Sequence, residues 1–271
     1  MRINHNIAAL NTHRQLGVAN SAQMKSMEKL SSGLRINRAA DDAAGLAISE
    51  KMRNQIRGLD QASKNSQDGI SLIQTAEGAL NETHAMLQRM AELYTQAANG
   101  TQTSDDNDKI QAEITQLTEQ IGDIATQTKF NKQSLLDNTT TITFQVGANA
   151  GETIDLVNSD NTAAGLGLDA LTTLDGTNTV ATGNLTIIQS AIDTVSDNRS
   201  NLGSIQNRLE HTINNLNTSS ENLTAAESRI RDVDMAKEMM EQTKNSILAQ
   251  ASQAMLAQSN QMPQGVLQLL R

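Results

Sequence analysis

Apolar residues recur at alternating steps of four and three between residues 188 and 230. This spacing keeps one stripe on a single side of a helix with a period of about 3.5 residues, as in long helices that pack against one another. At about 1.5 Å per residue the helix would be roughly 65 Å long, too long for the interior of a compact domain. The other parts of the chain must therefore supply partner helices. We call the apolar members of this stripe the body seam: Ile188, Ile192, Val195, Leu202, Leu209, Ile213, Leu216, Leu223 and Ile230.

Three further segments have a helical period. A thin apolar stripe runs through residues 3–34, and residues 52–98 carry two neighbouring stripes. Two stripes on one helix require two flanking partners, which favours a bundle over an isolated coiled-coil pair. After a helix start signal at Ser104, apolar residues repeat at four and three over residues 110–124. The pattern therefore predicts a mainly α protein built as a coiled-coil-like bundle of long helices.

The period changes to two in the middle of the chain. Residues 141–146 and 153–156 alternate between polar and apolar side chains, and a glycine-containing segment separates them. Alternation on both sides of a turn predicts a small β-hairpin at about residues 141–157. Residues 158–184 are rich in Thr, Asn, Gly and Asp without a sustained period, and we expect a loop with short elements there.

Two interruptions divide the helical segments. Residues 30–50 contain Ser-Ser-Gly and Ala-Ala-Asp-Asp-Ala-Ala-Gly, which can bend or end a helix. The register of the long stripe falters again at residues 231–234. We therefore expect terminal helices at residues 1–42 and 232–271 and a helical-rod body at residues 43–231.

The last segment has the most unusual composition. No charged side chain occurs between residues 245 and 270, where Leu248, Met255, Met262 and Leu269 stand seven residues apart. A helix in contact with water normally carries charge on its outer face, so we expect this one to be enclosed on most sides. A membrane-surface helix is disfavoured because such helices carry Lys or Arg on the polar face.

Composition and charge exclude several classes of function. The chain of 271 residues has no cysteine, so disulfides, thiolate metal sites and a cysteine nucleophile are excluded. The formal net charge of -9 disfavours nucleic-acid binding, and the sequence has neither a cleavable secretory signal nor an apolar run that could enter a membrane. The four histidines lack ligand spacing, and no carboxylate pair is marked as catalytic. We expect no enzyme activity, metal or cofactor.

Several longer motifs carry a family resemblance. The most specific is Ala-Glu-Ser-Arg-Ile-Arg-Asp-Val-Asp-Met-Ala-Lys-Glu at residues 226–238. The others are Met-Arg-Ile-Asn-His-Asn at 1–6, the segment at 30–50, Leu-Gln-Arg-Met-Ala-Glu-Leu at 87–93, Thr-Lys-Phe-Asn at 128–131, Phe-Gln-Val-Gly-Ala-Asn at 144–149 and Gln-Ala-Ser-Gln-Ala-Met-Leu-Ala-Gln at 250–258. With these motifs the chain resembles bacterial flagellin, in the short form that lacks the large outer domains.

The resemblance implies that the two chain ends pair as an inner domain lining the channel of a filament. It implies a structural subunit that self-assembles into the hollow helical flagellar filament used for swimming. It further implies that this filament is extracellular and that the subunit reaches it by flagellar type III export without signal cleavage. The residues that the resemblance assigns to inner-domain assembly are Ile3, Ile7, Leu10, Leu248, Met255, Met262 and Leu269.

The resemblance also implies partners other than further copies of the chain. They are an export chaperone on the C-terminal segment, the filament cap and the hook-junction proteins at the filament base. Animal flagellin receptors contact the body in this family, and the matching positions are Arg89, Leu93 and Glu113.

Two other functions remain open at this point. A flagellin-like hook-filament junction protein would share the motifs at both chain ends. A cytoplasmic coiled-coil binding module would explain the heptads, but it would not explain the uncharged last segment or the hairpin.

Limited proteolysis tests whether the monomer has a folded body and mobile ends, as the thin apolar stripes at both ends predict. We expect a protease to remove residues before about 42 and after about 232 while the body stays intact, because segments with little apolar burial open most readily. Chain ends as resistant as the body would contradict this prediction.

Overall fold

The computed structural model of the protein describes residues 6–174 and 178–269, with side chains described as far as Met262 in the last helix. Within these residues the chain forms five α-helices: α1 (Ile7–Ser32), α2 (Ala43–Ala97), α3 (Ser104–Gln127), α4 (Asn178–Arg231) and α5 (Met235–Leu269). The mainly α class predicted from the heptad pattern is confirmed. The segment expected to be a loop at residues 158–184 contains a short 3-10 helix (Leu168–Ala170), and α4 begins before that segment ends.

Two small antiparallel strand pairs lie between α3 and α4. The first pair, β1 (Lys129–Phe130) and β2 (Gln133–Ser134), was not predicted. Asn131 and Lys132 in its turn have φ angles of 49° and 68°, the left-handed conformation that a two-residue hairpin turn requires. The second pair, β3 (Thr141–Gln145) and β4 (Thr153–Val157), confirms the predicted hairpin.

A capping box begins α3. The Thr103 side chain accepts a hydrogen bond from the backbone N–H of Asp106, and the Asp106 carboxylate accepts one from the backbone N–H of Thr103. Hydrogen bonds from Thr103 hold the pKa of Asp106 below its ordinary value. The exchange satisfies two N–H groups that a helix start leaves without partners, which is why the sequence here is a strong start signal.

The chain divides into two compact units, and the division falls inside α2 and α4. The body unit comprises Gln55–Ser220. The terminal unit comprises the two chain ends, up to Asn54 and from Glu221. The functional domain boundaries expected near residues 42 and 232 lie where α2 begins and α4 ends, and they stay a prediction.

One hydrophobic core fills the body unit, with contributions from α2, α3, α4 and the β3–β4 hairpin. Both apolar stripes of α2 are represented in this core, so α2 has packing partners on two sides. The fully enclosed side chains include Ile73, Leu80, Leu87, Met90, Tyr94, Ile114, Ile121, Leu156 and Ile188.

The buried face of α4 consists of two rows of residues. The row that repeats every seven residues is buried at Ile188, Val195, Leu202, Leu209 and Leu216. A second row, which we call the alternate row, is buried at Asn184, Ala191 and Ile205. It lies one residue before the second row of the predicted body seam, which contains Ile192 and Ile213. The remaining apolar members of the body seam are half-buried: Ile192, Ile213, Leu223 and Ile230. A period of about 3.5 residues fits either alternate row, and packing against neighbouring helices selects between them.

The only tyrosine of the sequence is enclosed in the body core. Burial raises the pKa of Tyr94 to about 12. Its hydroxyl lies near Asn184 but outside hydrogen-bonding geometry. Asn184 instead donates a hydrogen bond to the backbone oxygen of Thr172 at 2.7 Å and accepts one from the backbone N–H of Thr172 at 3.2 Å. This buried amide therefore fastens the segment before α4 to the core.

The β3–β4 hairpin approaches α2 closely because α2 carries glycine at the contact points. A Cβ atom at Gly58 would lie 2.8 Å from the Cβ of Ala148, and one at Gly69 would lie 3.2 Å from the ring of Phe144. Any side chain at Gly58 would therefore displace the hairpin.

Two matched substitutions test the packing of α4. Ile205→Ala should lower the free energy of unfolding of the body by about 2–5 kcal/mol, because it leaves a cavity at a buried position. Ile192→Ala should cost no more than about 1.5 kcal/mol, because that side chain is already half exposed to solvent. Urea unfolding followed by circular dichroism measures both values. Equal losses would contradict the burial of Ile205 in the alternate row.

Candidate functional site

In the terminal unit, α1 packs against α5. At the start of α1, the side-chain amide of Asn6 donates a hydrogen bond to the backbone oxygen of Ser259 at 2.8 Å. Just beyond the end of α1, the backbone oxygen of Gly33 accepts a hydrogen bond from the backbone N–H of Val233 at 3.1 Å. The two helices therefore lie side by side and run in opposite directions.

Small and polar residues form the facing sides of α1 and α5. Ala19 and Ser26 of α1 are buried, as is Ser259 of α5. The half-buried positions that continue this face are Ala9, Thr12, Leu16, Gln23 and Leu30 in α1, and Gln242, Asn245, Ala249, Ser252 and Leu256 in α5. Because these side chains are mostly small or polar, the contact buries little apolar area.

Apart from Leu16, Leu30 and Leu256, most large apolar side chains described on α1 and α5 lie outside this shared face. We call them the terminal apolar surface: Ile7, Leu10, Val18, Met24, Met27, Met235, Met239, Met240, Ile247, Leu248, Met255 and Met262. Met255 is 61% exposed and Met262 is 49% exposed, so at these positions the uncharged segment of α5 is open to solvent in the single chain. The expectation that this segment is enclosed on most sides does not hold within one copy. Exposed apolar side chains concentrated on one pair of helices are typical of a protein–protein contact.

The residues expected to act in inner-domain assembly belong to this surface wherever the structure describes them. Ile7, Leu10, Leu248, Met255 and Met262 are all exposed. The expectation for Ile3, and for the side chain of Leu269, lies outside the described residues. The terminal apolar surface has three further members that the apolar spacing did not predict: Met235, Met239 and Met240. The apolar character of their side chains was the only signal.

A joint connects the two chain ends where α1 and α4 finish. Gly33, with a φ of 71°, ends α1 in the left-handed conformation that glycine adopts readily. The backbone N–H of Arg35 then donates a hydrogen bond to the backbone oxygen of Arg231 at 2.6 Å, and an antiparallel β-bridge forms beside it. Together with the Gly33–Val233 hydrogen bond, these contacts hold the segment after α1 against the segment after α4.

Ion pairs reinforce the joint. Arg231 Nη1 lies 2.7 Å from Glu50 Oε1, and Arg53 Nη2 lies 3.0 Å from Glu227 Oε1. The Glu227 side chain is only 14% exposed, so solvent screens its pair with Arg53 less than a surface pair. The two interruptions found separately in the sequence thus meet in one structure, and the one-dimensional pattern did not reveal that they pair.

On the body unit, Arg89 and Glu113 form an exposed ion pair between α2 and α3. Arg89 Nε donates a hydrogen bond to Glu113 Oε1 at 2.9 Å, and Arg89 Nη1 donates one to Glu92 Oε2 at 3.2 Å. The hydrogen bond to Glu113, followed by that to Glu92, raises the pKa of Arg89. Leu93, the third residue expected at a receptor contact, is only 2% exposed and packs in the core.

Among the residues that the structure describes, no three His, Asp and Glu side chains lie together in an arrangement suited to a metal ion. Among the same residues, no helix combines the length and the apolar character needed to cross a membrane.

Two family models match the chain. The bacterial flagellin N-terminal helical region matches residues 3–141, and the bacterial flagellin C-terminal helical region matches residues 185–270. The first match contains Arg89 and Glu113, and the two matches together contain both sides of the joint.

Named relatives match along their full lengths. The chain is 59% identical to the flagellin of Bacillus subtilis (strain 168), with 100% of both chains covered. It is 48% identical to the flagellar filament 33 kDa core protein of Treponema phagedenis, again with 100% of both chains covered. The crystal structure of Bacillus cereus flagellin is similar with a TM-score of 0.52 and 36% identity, over 60% of this chain and 94% of that chain.

Proposed function

The chain belongs to the bacterial flagellin family, and from this premise we propose that the terminal apolar surface is the contact through which its copies assemble. The chain is a structural subunit of the extracellular flagellar filament and not an enzyme. What remains to be assigned is which of its surfaces performs which part of that role.

The observation that carries the proposal is the arrangement of side chains on α1 and α5. Small and polar residues face each other, while Met255 and its large apolar neighbours lie in solvent. Moving apolar side chains out of water is favourable by roughly 25 cal/mol per Å². The free energy therefore falls when another copy covers this surface. A contact of one copy with the next that does not close into a ring produces an open helical polymer.

We further propose that residues 1–42 and 232–271 form an inner domain that lines the hollow channel of the filament. Residues 245–270 of this inner domain carry no charged side chain. We propose that the subunit reaches the filament by flagellar type III export without signal cleavage.

Other partners of the filament would meet the same residues. An export chaperone on the C-terminal segment would shield Leu248 and Met255 before assembly, since both are exposed in the single chain. The filament cap and the hook-junction proteins would contact the terminal units at the two ends of the polymer.

A receptor contact on the body is supported by the exposed Arg89–Glu113 pair. Both side chains are about half exposed, at 51% and 45%. The hydrogen bond to Glu113 holds the Arg89 guanidinium in one orientation, which suits recognition by an animal flagellin receptor. The Leu93 side chain is buried, so it would contribute indirectly, through the packing of α2 in the core.

The two alternative functions have less support. A hook-filament junction protein shares the terminal motifs, but the full-length relatives reported above are a flagellin and a flagellar filament core protein. A cytoplasmic coiled-coil binding module would explain neither the uncharged segment at residues 245–270 nor the β3–β4 hairpin.

Met255→Asp tests the assembly contact. An unpaired carboxylate buried between copies costs several kcal/mol per subunit, so filaments should fail to form under conditions in which the parent chain polymerises. The melting temperature of the monomeric body should not change, because the side chain is exposed there. Electron microscopy and circular dichroism provide the two measurements.

Met255→Leu is the matched control, because it keeps the apolar character of the position, and it should retain filament formation. Abundant filaments from Met255→Asp would show that this position faces the channel or solvent, and the assembly proposal would be wrong at its central residue.

Replacing both Arg89 and Glu113 with Ala tests the receptor contact. Receptor signalling should fall while the melting curve stays nearly unchanged, because exposed ion pairs contribute at most about 1 kcal/mol. A matched control removes the pair of Arg199 and Glu77, which joins α4 and α2 elsewhere on the body. Equal loss of signalling in both double variants would remove the specific role of Arg89 and Glu113.

A further inference from the structure

The methionines of this chain are distributed unequally over its surface. The sequence contains 11 methionines, and seven of those that the structure describes have exposed side chains. All seven lie on α1 or α5. In the body unit, by contrast, Met90 is 0% exposed and Met86 is half-buried.

Five of the exposed methionines lie at one end of the helix pair. Because α1 and α5 are antiparallel, the last turns of α1 lie beside the first turns of α5, next to the joint. We call the five residues there the methionine cluster: Met24, Met27, Met235, Met239 and Met240. The other two, Met255 and Met262, lie further along α5.

The sulfur of an exposed methionine reacts with peroxides. In this two-electron oxidation the thioether sulfur attacks one oxygen of the peroxide, the O–O bond breaks, a sulfur–oxygen bond forms, and the peroxide is reduced to water or an alcohol. The product is a polar sulfoxide that accepts hydrogen bonds. Since the sequence has no cysteine, methionine thioethers are the only sulfur atoms available to a peroxide.

We propose that the terminal apolar surface is a methionine-oxidation site for peroxides, and that oxidation of the free subunit prevents its assembly. Each sulfoxide places a strong acceptor where a neighbouring copy offers an apolar surface, and a buried acceptor without a partner is unfavourable. Subunits already in a filament are protected because their methionines are covered. This second part rests on the proposed assembly contact, whereas the reactivity of the free chain rests on exposure alone.

The first experiment maps the reaction on monomers. The chain is treated with hydrogen peroxide, and sulfoxides are quantified by mass spectrometry of peptides over time. The methionine cluster and Met255 should oxidise faster than Met90, which requires opening of the body core before it reacts. The melting curve of the body should be unchanged at this stage. Equal rates for Met90 and the cluster would overturn the site.

The second experiment measures the critical concentration for polymerisation before and after peroxide treatment. Treatment should raise it by at least about tenfold, which corresponds to about 1.4 kcal/mol per subunit. Reduction of the sulfoxides by enzymes specific for both sulfoxide epimers should restore the starting value. Filaments treated with the same peroxide should acquire fewer sulfoxides in the cluster than monomers do.

Two variants separate the cluster from the other methionines. The quantity compared is the critical concentration after peroxide treatment divided by that before treatment. Replacing all five cluster methionines with Leu should reduce this ratio, whatever the critical concentration of the untreated variant. Replacing Met52 and Met86 with Leu should leave this ratio as in the parent chain, because both side chains are half-buried and lie outside α1 and α5. Unchanged polymerisation of fully oxidised chain, or an undiminished ratio in the cluster variant, would overturn the proposal. Failure of untreated chain to form filaments would instead count against the assembly contact, while the oxidation map from monomers would stand.

Discussion

The antiparallel contact between the two chain ends is the constraint on which the surface of the terminal unit depends. Backbone hydrogen bonds at the joint place Gly33 beside Val233, and Asn6 reaches Ser259 further along the helix pair. Since the shared face consists mostly of small and polar residues, most of the large apolar side chains described on both helices remain on the outside. The body unit shows the opposite distribution, with large apolar side chains enclosed and ion pairs such as Arg89–Glu113 at its surface.

Much of the fold could be predicted from the sequence because it follows from repeated local patterns. A residue at every seventh position stays on one side of a helix, so the row through Ile188 and Leu209 is visible without a structure. The alternate row is not, since Ala191 and Ile192 both fit the pattern and only the neighbouring helices select Ala191. The β1–β2 pair escaped prediction because two-residue strands have no period and no glycine marks their turn.

The candidate site could be predicted only in part. Its seven-residue spacing marks Met255 as special, but a single sequence does not show whether another element of the same chain or a second copy covers it. The joint is hidden for a different reason, because Arg35 and Ile230 meet across 195 positions and no local pattern reports such a contact. Family resemblance assigned Leu93 to a surface contact, and the motif itself carries no information about its burial.

The same long-range contact leads to an expectation about the order in which the chain folds. Asn6 and Ser259 are 253 positions apart, and closing so long a loop costs conformational entropy before any contact offsets it. In the sequence, the body lies between the two halves of the terminal unit. The two ends of the body meet where Ser220 donates a hydrogen bond to Asp60 at 3.0 Å. Once the body has folded, most of that loop is already closed. We therefore expect the terminal unit to be the last part to form, after the folded body has brought the two terminal segments together.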